Sequence, residues 1–329
     1  MTDVLLDIRD LHVAYRVYGG ELKVLNGVNF KVAFAEKVGL VGETGCGKTT
    51  TMKALLRILP RTARIPKGQI LIHGGDVLKM NRGEIADLRG RGLSMIFQDP
   101  TSALNPVFTI GQQLYDVIRY SRGDQVADKR EVALRALQDA RLPDPERMLD
   151  SYPVQLSGGM RQRVCIAFAV ATARDLLIAD EPTTNLDVTI QDQVLRLIRE
   201  LVEQKGSSLI LITHSLGLVR ETTDRVYVMY AGNMVEMAST EELFEQPLHP
   251  YTQGLLASVP RLTGGGFAEG IPGRIPDYKD PPTGCRFHPR CPHAFEPCAK
   301  AMPPFFDQGN GHQVACYLYQ EKSEGGTNV

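Results

Sequence analysis

The sequence predicts an α/β fold built on a parallel sheet, and three observations predict it. A glycine-rich turn, Gly42-Glu43-Thr44-Gly45-Cys46-Gly47-Lys48-Thr49, joins an apolar run to a helical pattern. A second apolar run, Leu176-Leu177-Ile178-Ala179, ends in the carboxylates Asp180 and Glu181. Residues 175–237 alternate strand-like and helix-like stretches, the rhythm of a parallel sheet.

Residues 4–42 alternate like the strands of an antiparallel layer, with a turn at Gly19-Gly20. Lys37–Val41 reads as a short buried strand and Thr49–Leu59 as a helix with Met52, Leu55, Leu56 and Leu59 on one face. Strand, glycine turn and helix is the context that a phosphate loop, G-x-x-x-x-G-K-[ST], requires. Gly42, Gly45 and Gly47 let backbone N–H groups turn inward, and the helix start adds positive potential. Lys48 can reach the β- and γ-phosphates of a nucleotide, and the Thr49 hydroxyl can ligate Mg²⁺. Cys46 fits because it is small, and N–H dipoles with Lys48 nearby predict a thiolate there. Residues 43–98 hold the loop helix and further short elements. From about Ser102 to Arg174 the pattern is helical, as in Gln125–Ala140. Leu176–Ala179 is too apolar for a surface strand and suits a central parallel one. Asp180 then lies at a strand's carboxyl end, where open α/β sheets bind ligands, and Glu181 is a candidate general base. Ser207–Thr213 is a third apolar run, ending at His214. From Phe244 onward prolines break regular structure, and Gly264-Gly265-Gly266 reads as a linker.

Between the two halves stands Leu156-Ser157-Gly158-Gly159-Met160-Arg161-Gln162-Arg163. Phosphate loop, LSGG and the LLIADE segment, in this order, resemble the ATP-binding cassette of an ABC transporter. The resemblance implies a P-loop NTPase cassette over residues 1–240: a RecA-like core, an antiparallel β layer and a helical subdomain at about 99–174. It also implies roles. Gly42 to Thr50, including Glu43, Thr44 and Thr50, would bind ATP, and Tyr15 would stack on the adenine. Gln98, in Met95-Ile96-Phe97-Gln98-Asp99-Pro100, would sense Mg²⁺ and the attacking water. Mg²⁺ would be held by Thr49, Gln98 and Asp180, and His214 would contact the γ-phosphate. Ser157, Gly158 and Gly159 would act on the ATP of a second cassette. Asp187 falls in the loop Thr184-Asn185-Leu186-Asp187, where Asn185 replaces the family's usual alanine.

The chain has 329 residues, 37 basic and 38 acidic, for a net charge of −1. No basic excess points to nucleic acid. No stretch approaches 18 uninterrupted apolar residues, so no membrane-spanning helix is predicted. Met1-Thr2-Asp3-Val4 carries neither a basic region nor an apolar core, so a cytosolic chain without a signal peptide is expected. A membrane role therefore has to come through partners.

Cys285, Cys291, Cys298 and Cys316 are four of the six cysteines. Their spacing contains no C-x-x-C pair; it leaves open a metal site, with His288 and His293 as further ligands, buried free thiols, or a disulfide. The flanking segments, Leu248-His249-Pro250-Tyr251-Thr252-Gln253-Gly254-Leu255-Leu256 and Pro281 to Pro292, resemble the C-terminal extension of the oligopeptide/dipeptide/nickel importer ATPases. That resemblance implies a [4Fe–4S] cluster on the four cysteines, with zinc as the alternative, in a small irregular Cys-rich extension at 241–329. It implies a peptide-importer ATPase at the cytoplasmic face of the inner membrane. The partners would be a second homologous ATPase subunit, making a heterodimer, two transmembrane permease subunits and an extracytoplasmic substrate-binding protein. An importer ATPase for nickel or another small solute, and a soluble ABC ATPase with a metal-sensing tail, are the alternatives.

Overall fold

A computed structural model describes residues 3–122, 128–172, 175–184, 186–258 and 270–320. In chain order its elements begin β1 (Val4–Val17), β2 (Gly20–Ala33), β3 (Lys37–Val41), α1 (Lys48–Leu55), β4 (Ala63–Ile72), β5 (Gly75–Asp76), α2 (Arg82–Asp87) and β6 (Leu93–Ile96). Five helices follow: α3 (Pro100–Ala103), α4 (Ile110–Arg122), α5 (Lys129–Asp139), α6 (Pro145–Asp150) and α7 (Gly158–Thr172). Then come β7 (Leu176–Asp180), α8 (Val188–Lys205), β8 (Ser208–Ile212), α9 (Leu216–Thr222), β9 (Arg225–Tyr230) and β10 (Asn233–Ser239). The chain closes with α10 (Thr240–Glu245), α11 (Pro250–Ala257), α12 (Glu296–Lys300), β11 (Phe306–Asp307) and β12 (Gln313–Val314).

The chain divides into two compact units, Met1–Leu5 with Val32–Lys37 and Lys79–Ile212, and Leu6–Lys31 with Val38–Leu78 and Thr213–Val329. In the first unit β7 runs parallel between β6 and β8. All five of its residues are buried, as the apolar run Leu176–Ala179 requires of a strand covered on both faces. Helices α3 to α7 occupy the stretch read as helical. Leu114, Ile118, Ala133, Leu137, Val164 and Ile166, from α4, α5 and α7, form its apolar interior. Helix α5 starts behind Asp128, whose carboxylate accepts from the Glu131 N–H at 2.9 Å. The expected start at Gln125 lies outside the described residues, as do Asn185 and the Gly264–Gly266 linker.

The second unit holds the antiparallel layer, in the order β2-β1-β4-β5, with the β1–β2 turn at Gly19 (φ +74°) as expected. It also holds β3, parallel to β9, and an edge the sequence did not suggest. Strands β9 and β10 form an antiparallel hairpin, β12 pairs antiparallel with β10, and β11 with β12. Strict strand–helix alternation therefore ends at β9. The hairpin turns at Ala231 (φ +43°) and Gly232 (φ +80°), a two-residue turn whose twist matches paired strands. Helix α1 stops at Leu55, short of Leu59, because Arg57 enters the left-handed region at φ +52°.

The segment after Phe244 is less irregular than its prolines suggest. Pro250 starts α11, where a missing N–H costs nothing. Tyr251, Cys285 and Phe287 enter the unit's core with Val226, Val228 and Tyr230. The three rings pack edge-on or tilted, Tyr230 4.7 Å from Tyr251 and 5.1 Å from Phe287.

Candidate nucleotide site and thiol cluster

The phosphate loop leaves β3 at Gly42 (φ +150°), where a Cβ would stand 2.1 Å from the Met229 carbonyl oxygen. Only glycine fits there. Gly45 (φ +83°) and Gly47 (φ +114°) complete the turn into α1. Lys48 is 5 % exposed, and its Nζ donates to the Gly42 and Glu43 carbonyls at 2.7 and 3.0 Å. The loop thus holds its own ammonium over its N–H concavity. Tyr15 Oη lies 3.4 Å from Thr50 Oγ1, which puts the expected adenine platform beside the first turn of α1.

Cys46 departs from expectation. Its side chain is fully buried, and burial pushes the thiol up, outweighing Lys48 Nζ at 3.8 Å. The thiolate read from the loop's dipoles is therefore corrected to a neutral, inaccessible thiol.

Residues far along the chain brace this loop. The Glu43 N–H donates to Tyr251 Oη at 2.8 Å, and Tyr278 Oη donates to the Gly45 carbonyl at 2.7 Å. The Gly232 N–H donates to the Cys46 carbonyl at 2.7 Å. Arg290, its side chain 6 % exposed, forms a two-pronged ion pair with the Glu43 carboxylate at 2.8 and 3.0 Å. Its other three N–H groups reach the Pro272 and Ile271 carbonyls and Tyr230 Oη.

In the other unit, Asp180 ends β7 and is 3 % exposed. Glu181 follows with φ +46°, a left-handed conformation uncommon for a non-glycine residue and a mark of stored strain. Its N–H donates to the Ile212 carbonyl at 2.8 Å. One carboxylate oxygen accepts from Gln98 Nε2 and from Thr184 Oγ1, each at 3.0 Å. Two residues read as catalytic, Gln98 and Glu181, are thereby brought together. Ser157 and Gly158 are exposed at the start of α7, Ser157 Oγ accepting from the Met160 N–H at 3.3 Å. Asp187 is exposed just ahead of α8; His214 belongs to the second unit, where it is exposed just ahead of α9.

Cys285, Cys291, Cys298 and Cys316 line one small cavity. None is in a disulfide. Burial raises the thiols of Cys285 and Cys316 to about 11 and pushes Cys291 up as well. At three of them a backbone N–H two residues on opposes that rise: Phe287 for Cys285, His293 for Cys291 and Leu318 for Cys316. Yet among the described residues no three His, Cys, Asp or Glu side chains form a ready metal-holding group. The expected [4Fe–4S] cluster, or zinc, thus finds no preassembled ligand set.

Residues 25–184 match the family described as "ABC transporter", and residues 235–298 match "Oligopeptide/dipeptide transporter, C-terminal region". A probable peptide ABC transporter ATP-binding protein of Sinorhizobium fredii is 45 % identical over 324 residues, covering 97 % of this chain and 96 % of that one. The dipeptide transport ATP-binding protein DppD of Bacillus subtilis is 43 % identical over 323 residues, with the same coverage. The chain belongs to the ABC transporter ATP-binding proteins of the oligopeptide/dipeptide branch. Among solved structures, a dimeric ATP-binding cassette in a post-hydrolysis state with ADP and Pi superposes with a TM-score of 0.64 at 24 % identity, over 71 % of this chain and 98 % of the other. That likeness establishes the cassette fold. In this ABC ATP-binding protein the braces on the phosphate loop are what motif reading missed. Tyr251 and Arg290 nonetheless lie inside the two segments that carried the resemblance of the tail.

Proposed function

We propose that this chain is the ATP-hydrolysing subunit of an importer for di- or oligopeptides, docked on permease subunits at the cytoplasmic face of a membrane. The observation that carries the substrate class is near full-length similarity, tail included, to proteins named for dipeptide and oligopeptide transport. Those names do not favour nickel uptake or a soluble sensor. Among the described residues no helix is long and apolar enough to cross a membrane, in keeping with a peripheral subunit.

The phosphate loop residues Gly42 to Thr50 bind the phosphates, with Lys48 neutralising β- and γ-oxygens. Tyr15 stacks on the adenine. Thr49, Asp180 and Gln98 would hold Mg²⁺, which would offset phosphate charge. Glu181 takes a proton from the attacking water, and Gln98, already hydrogen-bonded to it, orients that water. His214 contacts the γ-phosphate. Ser157, Gly158 and Gly159 complete the ATP site of a second, homologous cassette, and Asp187 couples the two. Closure of the pair shifts the permeases between two access states. In the tail, residues 241–329, the cavity-lining thiols of Cys285, Cys291, Cys298 and Cys316 would hold one metal centre, iron–sulfur before zinc, once drawn together by the metal. The single cavity that all four line supports this.

The test is the assembled complex in vesicles. Wild type should hydrolyse ATP faster when binding protein and peptide are present. Glu181→Gln should keep ATP binding and lose about 10²–10⁴ in turnover. Peptide-independent hydrolysis would argue against the substrate class, and wild-type turnover in Glu181→Gln against the base. Anaerobic purification should yield about four irons per chain for a [4Fe–4S] centre, reduced in Cys291→Ser. Four freely titrating thiols would remove the metal centre.

A further inference from the structure

We propose that Arg290 is a positioning residue for nucleotide binding: through its ion pair with Glu43 it fixes the phosphate loop and the Lys48 ammonium. This rests on the reading of Gly42–Thr49 as the nucleotide site. The guanidinium has five N–H donors, and all five are engaged: two on Glu43, and one each on Tyr230, Ile271 and Pro272. A surface ion pair samples many geometries, whereas a buried guanidinium with every donor engaged has one.

The contact reaches chemistry in a single step. Glu43 presents its carboxylate to Arg290, its N–H to Tyr251 and its carbonyl to Lys48 Nζ at 3.0 Å. Shifting the Glu43 side chain therefore shifts a backbone group that holds the ammonium. Tyr278 fixes Gly45 two residues further on. The loop's three glycines with positive φ, Gly42, Gly45 and Gly47, would otherwise leave it free to open between nucleotides. The brace supplies preorganisation, so its loss appears in affinity for ATP more than in the chemical step.

The experiment uses the full chain and its complex. Arg290→Lys keeps the charge and loses the fork; Glu43→Gln keeps the shape and loses the charge. Each should raise the Kd and KM for Mg-ATP about tenfold, the worth of one good charge-assisted contact, and Arg290→Lys should keep kcat at saturating ATP within about twofold of wild type. The double variant should be no weaker than the worse single one, because both break the same pair. Tyr278→Phe removes one hydroxyl from the loop's rim and should weaken ATP binding about threefold even if Arg290→Lys folds poorly. Unchanged ATP affinity in folded Arg290→Lys or, should that variant fold poorly, in Glu43→Gln would overturn the proposal, as would a loss of thermal stability and kcat with KM untouched. Lys48→Ala is a separate arm. If it binds ATP like wild type, the loop is not the nucleotide site and the premise fails; if it loses binding, the premise stands whatever Arg290→Lys does.

Discussion

At Cys46 two influences oppose each other. Lys48 and the loop amides favour a thiolate, and complete burial disfavours it; burial is the larger cause and the thiol stays neutral. Native protein at pH 8 should therefore resist iodoacetamide at Cys46, with mass mapping showing modification there only after denaturation. Rapid labelling of the folded chain would contradict this. Spacing told which residue types surround the phosphates but not which way a small side chain points, and burial depends on that. Glu181 is similar: its place after Asp180 was legible, while its left-handed backbone was not, since nothing in a Glu signals φ +46°. Gly42 is the opposite case, because the motif demands glycine and the structure gives the reason. Gly42→Ala should abolish nucleotide binding, read by fluorescent ATP titration, and lower the melting temperature. The added Cβ meets a carbonyl at 2.1 Å and the φ is strained for alanine, a combination costing more than about 2 kcal/mol.

The elements were legible where their pattern was extreme. Five buried residues in β7 follow from an unbroken apolar run, and α4 to α7 follow from helical periodicity over 102–174. The β9–β10 hairpin was hidden because its turn places Ala231, not Asn or Asp, at the first left-handed position. Gly232 carries the burden of that turn. A Cβ there would meet the Val24 carbonyl oxygen at 1.9 Å, so Gly232→Ala should cost more than about 3 kcal/mol in denaturant unfolding. It should also loosen the phosphate loop, through the Gly232 N–H bond to Cys46. Near wild-type stability would show that the hairpin can re-form with another turn.

For the whole molecule, the cassette was readable from three short segments, because each is fixed by what it does to the nucleotide, and its branch from two segments of the tail, 248–256 and 281–292. The tail's grip on the loop was not readable. Tyr278 and Gly45 lie far apart in sequence and share no periodicity, so only folding reveals their contact. Assembly gives a prediction of its own. At Gly158 a Cβ would meet nothing within 4 Å, so Gly158→Asp should leave the chain's stability and its own ATP binding unchanged. In the assembled complex it should nevertheless remove most ATP turnover, by placing a carboxylate against the neighbouring cassette's γ-phosphate; wild-type turnover there would exclude action in trans. One last consequence concerns β12, which closes the edge of β10 by pairing Gln313 with Met237 and Val314 with Glu236. Without β12, the side of β10 that faces away from β9 leaves the backbone groups of Glu236 and Met237 open to a neighbouring strand, whereas β11, which pairs onto β12, is two residues long and too short to template addition. Chains cut before residue 306 should thus self-associate through this edge, and chains that keep β11 and β12 should not associate there.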